Sequence, residues 1–410
     1  MDFHKHYEVA VVGGGIAGIA AAVQAARSGR KTVLLEKTVL PGGLATTGLV
    51  YIYLPLCDGN GNQVTFGLCE ELIRRSIVYG PGEIPDNWKA KKNAPEVERF
   101  RCIFSPAAYM LALDEILEEN GVDFWLDTLV CGAEIENGRV SAAIVENASG
   151  RGKISAERFV DASGDCVLAR RAGIPCLAGE NYLTVWALEY DRKAENSNFV
   201  SPINMISDGP YWLGMTGRAD QLSPDQIYRA PDGEAVSRFM LDGRRLLRKR
   251  YQKLHADGEH DRNSLFALKV PAMPQFRKTF CIDAEYVLDS GENNLFFPDS
   301  IGMLGDWRKS GPVWEVPYRT LCPKSGPGGL LAAGRCTGAR NDAWEITRVI
   351  PSAAMTGQVA GLAAALSLDF GTDPRQLDVS RLQDELVKLG FKLHLSDIGL
   401  EYQEKDSTLS

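Results

Sequence analysis

Residues 8–37 read EVAVVGGGIAGIAAAVQAARSGRKTVLLEK, and this stretch decides the fold. The segment from Glu8 to Val12 is short and apolar, as buried strands are, and three glycines follow it. The alanine-rich segment from Ile19 to Ser28 favours a helix, and Gly29 suits its C-terminal end. The run from Lys31 to Glu36 is again of the buried-strand type. A strand, a glycine loop, a helix and a second strand in about 30 residues predict a βαβ unit.

The glycine loop follows the pattern Gly13-x-Gly15-x-x-Gly18, which binds a dinucleotide when it lies between a strand and a helix. Gly13 permits a tight turn, Gly15 lets the backbone approach a pyrophosphate, and Gly18 lets the helix pack closely on the strand. The helix N-terminus then offers free N–H groups to the phosphates. Glu36 ends the second strand, where a carboxylate accepts hydrogen bonds from both ribose hydroxyls and disfavours a 2′-phosphate. A structural glycine turn beside a surface glutamate is the alternative, and it leaves the combination of these residues unexplained.

Composition and charge limit the function further. The chain has 410 residues, of which 45% are hydrophobic and 24% charged, as in globular enzymes with a sizeable core. Its length allows two domains, or one large domain with insertions. The formal net charge of −8 disfavours non-specific binding to nucleic acid or anionic lipid. We interpret the basic run from Arg244 to Arg250 as the solvated face of a helix.

Cysteine spacing and hydropathy exclude several other classes of protein. Nine cysteines are scattered from Cys57 to Cys336 without a C-x-x-C pair, which argues against a zinc site, an iron–sulfur cluster or a dithiol centre. We expect a reducing, cytoplasmic environment and no metal ion. The apolar run before Ala26 imitates a signal peptide, but the glycines from Gly13 to Gly15 interrupt it. No stretch reaches 18 uninterrupted apolar residues, so no membrane span is predicted.

The stretch after the second strand carries a resemblance to a known family. Pro41-Gly42-Gly43 is followed by Thr46 and Thr47. At this point the chain resembles the glutathione-reductase-type flavoproteins. In particular it is similar to the FAD-dependent oxidoreductases that include flavin subunits related to fumarate reductase and the heterodisulfide reductase flavoprotein. A glycine pair there permits close backbone approach to the dinucleotide and the flavin.

Four later stretches support the resemblance. Val130 matches the position whose backbone meets the adenine, and the stretch from Val160 to Asp165 is similar to the family's strand end beside the cofactor. The stretch from Leu330 to Arg335 resembles the motif that returns the chain to the flavin, and the stretch from Arg348 to Gln358 resembles the last cofactor helix. The resemblance therefore implies non-covalent FAD held by residues from distant parts of the chain: Gly13, Gly15, Ile16, Ala17, Gly18, Glu36, Lys37, Gly42, Gly43, Leu44, Thr46, Thr47, Val130, Ala162, Ser163, Gly164, Asp165, Gly334, Arg335, Ile350, Pro351 and Ala353.

The expected fold is α/β, with a Rossmann-type FAD-binding domain that carries a β-meander and an inserted α+β substrate domain. A helix from Ala107 to Asn120, a hairpin about Asn137-Gly138 and a helix from Pro351 to Leu368 fit this plan. We assign residues 1–175 and 319–390 to the FAD-binding domain, 176–318 to the substrate or cap domain, and 391–410 to a polar C-terminal tail.

Candidate catalytic residues are arginines, because the five histidines lie before the first strand, in a polar stretch or in the tail. Arg277, Arg340 and Arg348 could each clamp a carboxylate or stabilise an anion. Alternatively they pair with the pyrophosphate or with acids such as Asp342 and Glu345. The segment around Arg277 lies near the family's arginine-rich strand but lacks its fuller arginine pattern.

Cysteine chemistry is not expected to contribute. Cys102, Cys322 and Cys336 lie near the predicted cofactor segments, but cysteine is often a plain buried residue. Cys57 and Cys69 are too far apart for the cysteine pair of a disulfide reductase.

Three hypotheses about function follow. The leading one is an FAD-dependent oxidoreductase that transfers a hydride between a small organic substrate and flavin N5. The alternatives are an FAD-dependent monooxygenase and a non-catalytic flavin-binding electron carrier, so a nicotinamide or a protein could be the electron partner. Aromatic residues between positions 182 and 344 favour a substrate with an apolar or ring part, among them Tyr182, Tyr190, Tyr211, Tyr286 and five of the seven tryptophans.

Overall fold

The computed structural model describes residues 1–84, 101–193, 200–206, 227–229 and 232–403. Tyr211, one of the aromatic residues that favour a substrate with an apolar or ring part, lies outside these ranges. By its contacts the chain forms two compact units. The first comprises Met1–Gly43, Tyr51–Leu177 and Phe280–Ser410, and the second comprises Leu44–Val50 and Ala178–Thr279.

The described residues form helices and strands in the following order. The helices are α1 (Ile16–Arg27), α2 (Leu68–Arg75), α3 (Pro106–Glu119), α4 (Val167–Arg171), α5 (Gly233–Ala256), α6 (Asn341–Thr347), α7 (Ile350–Asp369) and α8 (Val379–Lys388). The strands are β1 (Phe3–Val12), β2 (Thr32–Leu35), β3 (Ile52–Tyr53), β4 (Cys102–Ile103), β5 (Asp123–Trp125), β6 (Leu129–Glu136), β7 (Arg139–Asn147), β8 (Gly150–Asp161), β9 (Cys176–Ala178), β10 (Glu180–Tyr182), β11 (Val185–Asp191), β12 (Val200–Ile206), β13 (Ile227–Arg229), β14 (Leu265–Lys269), β15 (Phe280–Ile282), β16 (Ser300–Gly305), β17 (Val313–Pro317) and β18 (Leu330–Ala332).

A seven-stranded sheet, dominated by parallel pairs, forms the centre of the first unit. Its order is β5-β2-β1-β8-β7-β6, and β18 also pairs with β8. The pairs β1–β2, β1–β8, β2–β5 and β8–β18 are parallel, whereas β6, β7 and β8 form antiparallel neighbours. Strands β2 and β18 and the last four residues of β1 are buried, which explains their continuous runs of small and aliphatic side chains. The unit is therefore mixed α/β, as predicted.

Two helices pack tightly beside this sheet because glycines remove side chains from their interface. A Cβ atom at Gly357 would overlap the carbonyl oxygen of Ala17, and one at Gly361 would overlap that of Ala21. Helix α7 therefore lies backbone to backbone on α1. Small residues at four-residue spacing on both helices allow this approach.

The predicted hairpin is present between β6 and β7, and it joins β8 in an antiparallel meander. Its two-residue turn has Asn137 at φ 51° and Gly138 at φ 72°, the positive values that a type I′ turn requires. The predicted helix that follows Ser105 is also present as α3, and the Ser105 side chain caps it by accepting from the backbone N–H of Ala108.

Three sequence-based boundaries differ from the structure. Strand β1 begins at Phe3, before the predicted apolar core, because its first residues pair in parallel with β8. The segment from residue 391, assigned to a polar C-terminal tail, instead contributes to the core of the first unit, where Phe391, Leu393 and Leu395 are buried. Alternate apolar side chains in an otherwise polar stretch produce this packing. Residues 280–318 also belong to the first unit by their contacts, whereas the sequence analysis assigned them to the substrate domain.

The second unit is built from a three-stranded sheet, β12-β11-β14, a β10–β13 pair and the long helix α5. Tyr228, Phe239 and Phe276 form one of its buried clusters. Residues 44–50 belong to it because the Ala272 N–H donates to the carbonyl of Thr47 at 3.1 Å and the Gln275 side chain donates to that of Gly48.

All nine cysteines are free. Within the described ranges, no group of three or more His, Cys, Asp or Glu side chains is arranged to hold a metal ion. In the same ranges no single helix has the length and apolar composition to cross a membrane. Helices α6 and α7 meet these two criteria only when they are taken together, and the angle between them is 81°.

Candidate nucleotide-binding site

The glycine loop between β1 and α1 is at the centre of the candidate site. Gly13 has φ 100°, and its N–H donates to the carbonyl of Leu35 at 2.7 Å. A Cβ atom at Gly13 would lie 2.5 Å from the Cα of Ser163, and one at Gly18 would overlap the carbonyl of Gly13. Both positions therefore require glycine, the first for its dihedral angle and its neighbour, the second for helix packing.

The Glu36 carboxylate fixes this loop from the end of β2. Its Oε2 accepts from the backbone N–H of Gly14 at 2.7 Å, and its Oε1 accepts from the N–H and the hydroxyl of Thr38, both at 2.8 Å. The residue is 6% exposed. Glu36 is thus part of the protein's own hydrogen-bond network, a role that the sequence analysis did not foresee.

The glycine pair lies against the same loop. The N–H of Gly42 donates to the carbonyl of Gly14 at 2.7 Å, and a Cβ atom at Gly43 would lie 3.1 Å from the Cα of Gly15. A Cβ atom at Gly15 itself would meet nothing within 4 Å. The loop therefore has one open side, at the residue predicted to approach the pyrophosphate.

The strand end after β8 brings charged groups to this place. Asp161 is fully buried and accepts from the N–H and hydroxyl of Ser163 and from the N–H of Ala169, while its burial raises the pKa of the carboxyl. Asp165 lies 3.6 Å from the Lys37 ammonium and 3.8 Å from the Arg335 guanidinium. Two cations, Lys37 and Arg335, therefore lie near the loop beside Asp165.

The segment after β18 joins the loop to α7. The N–H of Gly334 donates to the Thr356 hydroxyl at 3.0 Å. A Cβ atom at Gly334 would lie 2.8 Å from the Cβ of Ala17 and 3.7 Å from that of Ala353. The first turns of α1 and α7 therefore meet at Gly334. Helix α7 has proline in its first turn, a position where the missing N–H costs nothing.

The three candidate catalytic arginines are not brought together in one unit. Arg277 is in the second unit, with its guanidinium 5.1 Å from the centre of the Tyr182 ring. Arg340 and Arg348 flank opposite ends of α6. The Arg340 side chain is 60% exposed and pairs with Asp289 at 2.7 Å. The Arg348 side chain is 12% exposed and pairs with Glu345.

The remaining predicted cofactor residues divide between the two units. Ile16, Ala17 and Pro351 are buried in the first turns of their helices, which Ile350 and Ala353 also occupy. Val130 is buried on β6, where it pairs with Val145 just before a bulge. A Cβ atom on Gly164 would overlap the Arg335 guanidinium. Leu44, Thr46 and Thr47 belong to the second unit.

Sequence reasoning missed two residues that hold this arrangement together. The Thr38 N–H and hydroxyl donate to Glu36 beside the loop, and the Thr356 hydroxyl accepts from the N–H of Gly334. A threonine two residues after Glu36 was the available signal for Thr38. The role of Thr356 depends on a contact between distant segments, which local spacing does not encode.

With this geometry described, comparison with known proteins assigns the family. A profile described as FAD dependent oxidoreductase matches residues 8–188 and 225–386. The chain belongs to this family of FAD-dependent enzymes. Its cofactor is FAD, as the sequence resemblance implied.

Comparisons with individual proteins give either a short alignment or a low sequence identity. A thioredoxin reductase from Ureaplasma parvum serovar 3 is 35% identical over 75 residues, which cover 18% of this chain and 24% of that protein. The chain therefore matches about a quarter of the length of this curated relative. A crystal structure of a geranylgeranyl bacteriochlorophyll reductase-like protein from Thermoplasma acidophilum has a TM-score of 0.50 at 14% identity, over 96% of this chain and 86% of that one. That likeness shows the fold alone.

A p-nitrophenol 4-monooxygenase from Pseudomonas putida DLL-E4 aligns over 93% of this chain and 84% of its own. Its TM-score is 0.49 and its identity 13%.

Proposed function

We propose that this protein transfers a hydride between a small organic substrate and N5 of the flavin of non-covalently bound FAD. The flavin supplies the redox chemistry, and the chain's own residues bind, orient and shield the reactants. The observation that carries the proposal is the convergence of three distant glycine-containing segments on the glycine loop and the first turn of α1: segments 42–43 and 162–164 meet Gly13–Gly15, and Gly334 meets Ala17.

The residues of the first unit fit a dinucleotide. The open side of Gly15 leaves room for a pyrophosphate at the N-terminus of α1, where N–H groups are free. Lys37 and Arg335 bring two cations close to this place, beside Asp165. Gly334 and the first turn of α7 would hold the flavin end, where a helix N-terminus stabilises negative charge on the ring.

The role of Glu36 toward the ribose is narrower than the sequence suggested. A carboxylate offers about four lone-pair sites, and the hydrogen bonds from Gly14 and Thr38 occupy three of them. About one remains for a ligand. We therefore propose that Glu36 accepts a hydrogen bond from one ribose hydroxyl. We also propose that the backbone near Val130 contacts the adenine.

The second unit is our candidate for the substrate domain. Its two segments interrupt the first unit in sequence, as an inserted domain does. The Arg277 guanidinium over Tyr182 is a cation held on an aromatic face, an arrangement suited to an anionic or ring-containing substrate. A nicotinamide or a partner protein would reoxidise or reduce the flavin and so return it to its starting redox state.

A purified sample tests the cofactor and the reaction in sequence. We expect a yellow protein that releases FAD on denaturation, and anaerobic bleaching of the flavin by one or a few members of a metabolite panel. A colourless protein that also fails to take up added FAD would contradict the proposal. Substrate-dependent NAD(P)H oxidation with oxygen from O₂ in the product would replace hydride transfer by a monooxygenase reaction.

A further inference from the structure

The junction between α6 and α7 is sharply bent and tightly fixed. The helices turn by 81° within the two residues that separate them, Arg348 and Val349. At such a break the last backbone carbonyls of α6 have no hydrogen-bond partner within the helix. Two of them have partners, because Trp307 Nε1 donates to the carbonyl of Glu345 at 2.9 Å and the Ser352 hydroxyl donates to that of Ile346. The junction is therefore held from both sides.

An acid and a base pair at this junction. Arg348 Nε donates to Glu345 Oε2 at 3.0 Å, and its Nη2 donates to the same oxygen. The side chains are 12% and 3% exposed, so water screens their charges weakly. The neighbouring Asp342 and Asp306 are engaged with a different cation, Arg308. Glu345 is thus the carboxylate that neutralises Arg348.

This pair lies just before the helix that reaches the glycine loop. The first turn of α7 contains Ala353, which a Cβ atom on Gly334 would approach to 3.7 Å. One turn further, a Cβ atom on Gly357 would overlap the carbonyl of Ala17 at the start of α1. Arg348 precedes Ala353 by five residues and is therefore near the end of α7 assigned to the flavin.

We infer that Glu345 is a positioning residue that fixes Arg348 at the N-terminal end of α7 and cancels its charge. By cancelling that charge, the Glu345 carboxylate sets how readily the bound flavin accepts negative charge. The inference rests on the proposed function, which places the flavin at this end of the helix. A paired guanidinium is also a poorer clamp for a substrate carboxylate than a free one, so Arg348 acts toward the cofactor.

Sulfite is a suitable probe, because it adds to flavin N5 and leaves negative charge on the N1–C2=O edge without any enzymatic substrate. The dissociation constant of sulfite is measured from the bleaching of the flavin absorption band, and the midpoint potential is measured on the same samples. Glu345→Gln leaves the positive charge of Arg348 uncancelled, so we expect sulfite to bind about tenfold more tightly and the potential to rise. Arg348→Gln removes one positive charge from this place, so we expect sulfite to bind about tenfold more weakly and the potential to fall.

Opposite directions distinguish this role from simple loss of structure, which would shift both variants the same way. Glu345→Asp keeps the charge and should stay within about twofold of the parent. Glu385→Gln is the matched control, since Glu385 pairs with Lys388 at the same three-residue spacing on the exposed α8. If every single variant that retains FAD keeps the parental sulfite affinity, or if both move in one direction, the inference is wrong. A parent protein that binds no FAD would instead overturn the proposed function.

Discussion

Replacing Glu36 by glutamine tests whether this side chain holds the glycine loop before any cofactor arrives. The two carboxylate oxygens accept from the backbone N–H groups of Gly14 and Thr38 at 2.7 and 2.8 Å. In Glu36→Gln one oxygen becomes an NH₂ group, which cannot accept. Whichever way the amide turns, one of these N–H groups faces a donor and loses its partner.

The magnitude follows from the burial of the site. Glu36 is 6% exposed, so water cannot easily replace the lost acceptor. A buried donor left without a partner costs about 1–3 kcal/mol. Taking about 2 kcal/mol, the loop should open about 30-fold more often in the FAD-free protein.

Hydrogen exchange followed by mass spectrometry measures this opening. Peptides that cover the glycine loop and the end of β2 should lose protection by about 30-fold in FAD-free Glu36→Gln, while α8 stays unchanged. Glu8→Gln is the control, because Glu8 also accepts from a backbone N–H, that of Lys31 at 2.8 Å, but its side chain is 39% exposed. Unchanged protection of the loop in the FAD-free variant would refute the assigned role of Glu36, whatever its effect on FAD affinity.

Three further perturbations have expected outcomes. Gly13→Ala places a Cβ atom 2.5 Å from the Cα of Ser163 at positive φ, so FAD affinity measured by fluorescence titration should fall by at least about tenfold. Gly361→Ala forces α7 away from the carbonyl of Ala21, so thermal unfolding should begin at a lower temperature, with a loss of about 1–3 kcal/mol. Asp373 has a lowered pKa although its burial acts the other way, because backbone N–H groups donate to it. Its contribution to stability is therefore present above the unfolded pKa of about 3.9 and is lost as the pH falls through the lower folded value, so Asp373→Asn should show a flatter fall of the denaturation midpoint with acid.

Each of these has its own control or contrary outcome. Gly233→Ala, at a position with free space and no positive φ, should leave the melting curve within about 0.5 kcal/mol of the parent. Retention of parental FAD affinity by Gly13→Ala would mean that the strand end after β8 can move away. An acid dependence in Asp373→Asn as steep as in the parent would show that other carboxylates dominate the acid unfolding.

Several residues of the candidate site could be predicted from the sequence, because the local backbone requires a particular residue type at their positions. Gly13, Gly18 and Gly42 are in positions where backbone dihedral angles or packing distances demand glycine, and such demands are visible in spacing. The Asn137-Gly138 turn is another example, since both residues adopt the positive φ values that their types favour. The three arginines show the opposite case. The sequence left two roles open for them, and in the structure Arg340 is an exposed residue paired with Asp289 whereas Arg348 is a buried one paired with Glu345.

The sequence by itself determined the βαβ unit, the meander and the family, because hydrophobic period, turn residues and glycine spacing are local properties. Only the tertiary structure decided which residues meet. It placed residues 44–50 in the second unit, gave one oxygen of the Glu36 carboxylate to the N–H of Gly14, and buried the Glu345–Arg348 pair. The burial of charge and the contacts between segments far apart in the chain are not specified by any local pattern.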